Sequence, residues 1–133
     1  MRIVLDTNCL LMSVPTYSDF FGIWQAFRDG KYILCYTTEI LNEYHEILSR
    51  YFSVHFADSI MEDITVSPNT EQITVYYNWH LITADPDDNK FVDCAVSANA
   101  SYIVTNDKHF KVLEKIDFPK VDILTIEEFK EKI

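Results

Sequence analysis

The 133-residue chain is 48% hydrophobic, enough for the core of a single domain over residues 1–133, with no length left for a second domain of ordinary size. Its formal net charge of −10 excludes general electrostatic capture of nucleic acid, which depends on Lys and Arg neutralising phosphates. Three cysteines, Cys9, Cys35 and Cys94, lie in apolar stretches without paired ligand spacing, so they read as buried, reduced thiols of a cytoplasmic protein.

Ile3-Val4-Leu5 is a wholly apolar run ending in Asp6-Thr7-Asn8, the pattern of a central strand buried on both faces and closing at a polar edge. It is too short for a signal peptide or a membrane span, and no later window supplies one. Phe20, Phe21, Ile23, Trp24 and Phe27 recur at helical spacing, which predicts a helix from near Ser18 to a stop at Gly30. This aromatic stripe suits a core or a dimer face better than a base-stacking platform. Tyr32 to Tyr36 reads as the second strand, and Thr37 or Thr38 caps a helix whose apolar stripe is Ile40, Leu41, Tyr44, Ile47, Leu48 and Tyr51. A further helix is expected over Phe56 to Ile64. The alternating stretch with Ile73, Val75 and Tyr77 fits either a strand or an extended loop. Asp85-Pro86-Asp87-Asp88-Asn89 is a turn and helix-start signal, and Phe91, Val92, Ala95, Val96 and Ala98 form the small, tightly packing helix after it. Tyr102-Ile103-Val104 is another buried strand, followed by Thr105-Asn106-Asp107. Val121 to Leu124 is the last strand, and Thr125 with Glu128 makes a capping box for a C-terminal helix. Strands alternating with helices predict a three-layer α/β/α sandwich with a mainly parallel central sheet.

Asp6, Glu43, Asp88 and Asp107 are the candidate catalytic and metal-binding residues. Each sits at a strand end or on a helix beside one, and carboxylates so placed converge at one edge of a parallel sheet. Asp6 should leave its apolar strand towards water, with Thr7 and Asn8 orienting it by hydrogen bonds. Among the glutamates of its helix, Glu43 lies at the edge of the apolar stripe next to Ile47, whereas Glu39 and Glu46 point further into solvent. Asp88 falls at a helix N-terminus, where backbone N–H groups and the dipole stabilise its charge. Asp85 is expected to shape the turn and Asp87 to be solvated, and Asp93 to contact metal at most through water. Thr105 supports Asp107. Four carboxylates at close quarters repel and raise one another's pKa unless a cation joins them. Oxygen ligation calls for Mg²⁺ or Mn²⁺ rather than Zn²⁺, which prefers His and Cys. The chemistry that follows is hydrolysis of a phosphodiester by metal-activated water. Lys90, Lys108 and His109, the basic groups beside Asp88 and Asp107, are the candidate phosphate contacts. With only Gly22 and Gly30 there is no glycine-rich nucleotide loop.

Leu5-Asp6-Thr7-Asn8, Glu43, Asp85-Pro86-Asp87-Asp88-Asn89-Lys90-Phe91 and Tyr102-Ile103-Val104-Thr105-Asn106-Asp107-Lys108-His109 resemble, in order and spacing, the PIN-domain family, most closely its toxin components of bacterial toxin-antitoxin systems. The resemblance implies a PIN-like fold, Mg²⁺- or Mn²⁺-dependent endoribonuclease activity on an RNA substrate, a homodimer and a small cognate antitoxin. It carries the acidic metal set onto Asp6, Glu43, Asp88 and Asp107. Some relatives place the third acid where this chain has Asn89, which leaves Asp93 as the alternative to Asp88 for that role. The rival reading is a PIN-like binding protein, weak or inactive in catalysis, acting through a protein or RNA partner. An aspartate-nucleophile phosphatase is disfavoured because Asn8 stands where a second acid belongs.

Overall fold

A computed structural model describes residues 1–133. Five parallel strands form one sheet in the order β3-β2-β1-β4-β5, with β1 (Arg2–Leu5) at its centre, flanked by β2 (Ile33–Tyr36) and β4 (Tyr102–Val104). The outer strands are β3 (Thr70–Gln72) and β5 (Ile123–Leu124). Burial on both faces accounts for the unbroken apolar runs: Ile3, Val4, Leu5, Leu34, Cys35, Ile103 and Val104 are each at most 2% exposed. Helices pack against this sheet to give the expected α/β/α sandwich. The register pairs Ile3 with Tyr102, Val4 with Ile103 and Leu5 with Val104, so β1 and β4 end level with each other.

Six α-helices surround the sheet: α1 (Thr7–Ser13), α2 (Phe21–Arg28), α3 (Thr38–Tyr51), α4 (Val54–Val66), α5 (Asn89–Ala98) and α6 (Ile126–Lys132). The α3 helix starts as its sequence predicts, with the Thr37 hydroxyl accepting the Ile40 N–H at 3.1 Å. Gly30, at φ +77°, takes the left-handed turn that closes α2, and Asn99, at φ +51°, does the same for α5. The capping box of Thr125 and Glu128 opens α6. All three cysteines are buried and free. No helix is long and apolar enough to cross a membrane.

Several boundaries differ from the sequence reading. α1, a helix additional to those expected, follows β1 with no loop, because Asp6 takes the extended backbone of an N-cap and its carbonyl accepts the N–H groups of Cys9 and Leu10. α2 begins at Phe21 rather than near Ser18, because the Ser18 hydroxyl accepts the Phe20 N–H at 3.1 Å and donates to the Met12 carbonyl, holding a turn there. The outer strand β3 lies at Thr70–Gln72, and residues 73–83 run as an extended strap without regular structure. A 3₁₀ turn over Pro86–Asp88 leads into α5, and a second 3₁₀ segment, Lys108–Lys115, follows β4.

Candidate active site

The level ends of β1 and β4 place Thr105 beside Asp6, and the Thr105 hydroxyl donates to Asp6 Oδ2 at 2.7 Å. The same hydroxyl oxygen accepts the Asp107 backbone N–H at 3.0 Å, so one threonine fixes the acids at the ends of both central strands. Helix α3 enters through Tyr44, fully buried, whose hydroxyl donates to the Leu5 carbonyl at 2.5 Å. That anchor sets α3 across the end of β1 and brings Glu43, one residue earlier, over the sheet edge. Thr7, expected to orient Asp6, donates its hydroxyl to Glu43 Oε2 instead. Its backbone N–H, by contrast, helps to hold the Asp6 carboxylate.

The remaining acids come from the two 3₁₀ segments. In the turn over Pro86–Asp88, Asp85 stands at the N-cap and its Oδ1 accepts the Asp87 N–H at 3.2 Å. Residues three apart eclipse in such a turn, so Asp85 and Asp88 face the same way. Asp107 caps the second segment, its Oδ1 accepting the His109 N–H at 2.9 Å. His109 Nδ1 lies 3.2 Å from Asp107 Oδ1 and 3.5 Å from Asp88 Oδ2. Asp6, Glu43, Asp88 and Asp107 thus line one hollow of about 230 Å³, together with Thr7, Asn8, Ile47, Asp85, Asp87 and Phe91.

The electrostatics follow from this crowding. Burial, with repulsion from Asp107, Asp85 and Asp6, pushes the Asp88 carboxyl up to about 7 against the opposing contact of His109. Burial also raises Asp6, with Asp107 and Glu43 adding repulsion, although the Thr105 hydrogen bond offsets part of it. Asp88 Oδ2 is a buried oxygen with no hydrogen-bond partner. Its one polar neighbour is His109 Nδ1 at 3.5 Å, so a buried carboxylate oxygen among acids is left underpaired, which is costly unless a cation joins it. One oxygen each from Asp85 and Asp88 and a ring nitrogen of His109 lie within 4.8 Å of one another. With the carboxylates of Asp6, Glu43 and Asp107 lining the same hollow, this mainly oxygen donor set fits a divalent ion such as Mg²⁺ or Mn²⁺.

Lys90, expected to meet substrate phosphate, is already engaged: its Nζ lies 2.7 Å from Glu43 Oε1 and 2.8 Å from Asp87 Oδ2. Asp87 is therefore exposed, as expected, but ion-paired. Asn89 is buried and turned to the strap, its amide accepting the Ile82 N–H at 2.9 Å and donating to the Ile82 carbonyl at 2.8 Å. Asp93 Oδ1 accepts the Trp79 N–H at 3.0 Å, and Asp93 lines a separate groove beside β2 and β3. The structure thus brings Asp88, and neither Asn89 nor Asp93, into the acidic hollow. Lys108 is exposed, and His109 stands at the rim. Sequence reasoning gives Asp85 only a turn-shaping role and places His109 beside Asp107 as a phosphate contact, whereas the structure brings both up to Asp88. The three-residue spacing of Asp85 and Asp88 about Pro86 is the available signal for the first. For His109 the signal is its place two residues after Asp107, while its proximity to Asp88 is tertiary.

Comparison with known proteins places this geometry. A family model described as PIN domain matches residues 2–109. No curated protein matches the chain in sequence. Among solved structures it is similar to VapBC2 from Rickettsia felis bound to a DNA fragment from the promoter, at 19% identity and a TM-score of 0.63, covering 94% of this chain and 98% of that one. It is also similar to the PIN domain endonuclease Utp24, at 16% identity and a TM-score of 0.54, covering 93% and 84% respectively. At these identities the two likenesses describe the fold.

Proposed function

This chain belongs to the PIN domain family, and from that premise we propose that it is a divalent-cation-dependent endoribonuclease, the toxin component of a toxin-antitoxin pair. PIN domains are generally nucleases. The observation that carries the reading is the convergence of Asp6, Glu43, Asp88 and Asp107 on one hollow in which Asp88 Oδ2 is buried without a partner. Asp6, Glu43, Asp88 and Asp107 would hold Mg²⁺ or Mn²⁺, with Asp85 and His109 beside Asp88. When bound, the ion lowers the pKa of a water and stabilises charge on the phosphate and leaving oxygen.

The chain's own residues supply position and proton control. Thr105 fixes the Asp6 and Asp107 segments relative to each other. His109, at the rim beside Asp107 and Asp88, is placed to donate to a phosphate oxygen, and exposed Lys108 adds positive charge next to it. Substrate enters from the rim, since the hollow opens at the sheet edge. The likeness to VapBC2 supports the toxin role and an antitoxin partner, and a cytoplasmic setting belongs to the same proposal. A homodimer is part of the same reading.

The test is Mn²⁺-dependent cleavage of a pool of single-stranded and structured RNA by the purified protein, beside D6N and a chelator control. Cleavage abolished in both controls is the expected result. A folded protein that neither cleaves nor binds Mn²⁺ overturns the nuclease reading and favours a PIN-like binding protein. Growth arrest on expression, relieved by the product of a neighbouring small gene, tests the toxin role separately.

A further inference from the structure

We propose that Lys90 is a positioning residue that competes with the divalent ion for Glu43, holding that carboxylate in the acidic hollow and thereby lowering the site's affinity for the ion. The inference rests on the metal-dependent reading above and concerns how the same site is regulated. The Lys90 ammonium makes three contacts: 2.7 Å to Glu43 Oε1, 2.8 Å to Asp87 Oδ2 and a donated hydrogen bond of 3.0 Å to the Asp87 carbonyl. These match its three donors, and the side chain is only 6% exposed. The other Glu43 oxygen accepts the Thr7 hydroxyl. Both oxygens of Glu43 are therefore engaged by protein groups, whereas Asp88 Oδ2 has no hydrogen-bond partner.

The arrangement has two resting places for one ammonium. Asp87, with its carboxylate two-thirds exposed, and its own backbone carbonyl hold Lys90 whether or not Glu43 stays with it. Glu43 can then turn to an ion without stranding a buried positive charge, which is the costly outcome of breaking most buried pairs. Lys90 is thus a tethered cation occupying one ligand of the site, and an arriving ion must displace it from Glu43.

The experiment titrates Mn²⁺ alone into metal-free protein, following free Mn²⁺ by electron paramagnetic resonance, with wild type, K90Q, K90R and the same K90Q change in an E43Q background. K90Q is expected to bind Mn²⁺ more than about tenfold more tightly than wild type: direct repulsion of one unit charge roughly 6 Å from a divalent ion in a water-like dielectric gives about tenfold, and release of Glu43 adds to it. K90R, which keeps the charge, should stay within about threefold of wild type on the same scale. In the E43Q background only the direct repulsion remains, so the gain should fall back to about tenfold or less, and a gain equal to that in the wild-type background overturns the competition for Glu43. Equal or weaker Mn²⁺ binding by K90Q overturns the inference while leaving the metal reading intact. No binding by wild type or K90Q overturns the metal reading and this inference with it. K90M is the second neutral variant, read in the same way, where K90Q fails to fold.

Discussion

Burial and the three neighbouring acids that raise the Asp88 carboxyl to about 7 make the metal-free protein's stability depend on pH. The folded-state pKa lies above the unfolded value, so folding favours the protonated acid. That stability is fully present below the ordinary value of 3.8 and is lost as pH rises through about 7. Water at the rim screens part of the effect, which leaves a loss of about 1–2 kcal/mol, or roughly 4–8 °C in Tm, between pH 5 and 8. In chelator the melting temperature should fall across this window, and millimolar Mn²⁺ should flatten the fall. D88N, neutral at every pH, should be more stable than wild type at pH 8 in chelator and should gain little from Mn²⁺. A scan in which wild type and D88N show the same pH slope would remove Asp88 from the centre of the site. At this scale the acids were legible in the sequence because each stands past a strand's end, opens a helix or, for Glu43, edges a helix's apolar stripe. Their supports were not: Thr105 bonding Asp6 and Lys90 bonding Glu43 join residues 99 and 47 positions apart.

The strap of residues 73–83 shows what holds an element without regular hydrogen bonding. Its backbone is tied to α5 by two side chains, Asn89 on Ile82 and Asp93 on Trp79, and Asn89 pairs with both the N–H and the carbonyl as a neighbouring strand would. Asn89 is thus a structural clamp, one residue after the acid that faces the hollow. N89D keeps the acceptor, loses the donor and sets a carboxylate against the Ile82 carbonyl. It should cost about 2 kcal/mol in urea unfolding and should increase amide exchange at residues 79–84. Stability equal to wild type, with Mn²⁺ bound more tightly, would show instead that position 89 accepts an acid at the metal site. The helices α3, α4 and α6 were legible because their apolar periodicity and caps agree with their packing. The strap and β3 were not, because alternation in Ile73, Val75 and Tyr77 reflects half-exposed extended chain, and the strand that pairs with β2 is the polar Thr70–Gln72. A strand of that composition is set by its neighbour, and β-propensity says little about it.

For the whole molecule, the net charge of −10 and a hollow lined by six acidic residues have to be reconciled with a polyanionic substrate. With Lys90 held by Glu43 and Asp87, the positive charge available is exposed Lys108 beside His109, followed in the same segment by exposed Lys111 and Lys115. Three neutralised phosphates on a single strand correspond to a slope of about −2 in log affinity against log salt. Binding of labelled single-stranded RNA to the D6N protein in Mn²⁺, measured by anisotropy between 50 and 300 mM KCl, should therefore show a slope no steeper than about −2. The triple variant K108Q/K111Q/K115Q should bring it close to zero. A slope of about −5 or steeper would require about seven or more phosphate contacts, more than the three lysines of that segment supply, so a second copy or a basic partner would have to complete the surface. The shallow slope follows from the composition that at first disfavoured nucleic acid: with so little charge to release counterions, recognition must rest on the ion and on contacts at the hollow's rim, and the chain should cut RNA it meets there without holding RNA elsewhere.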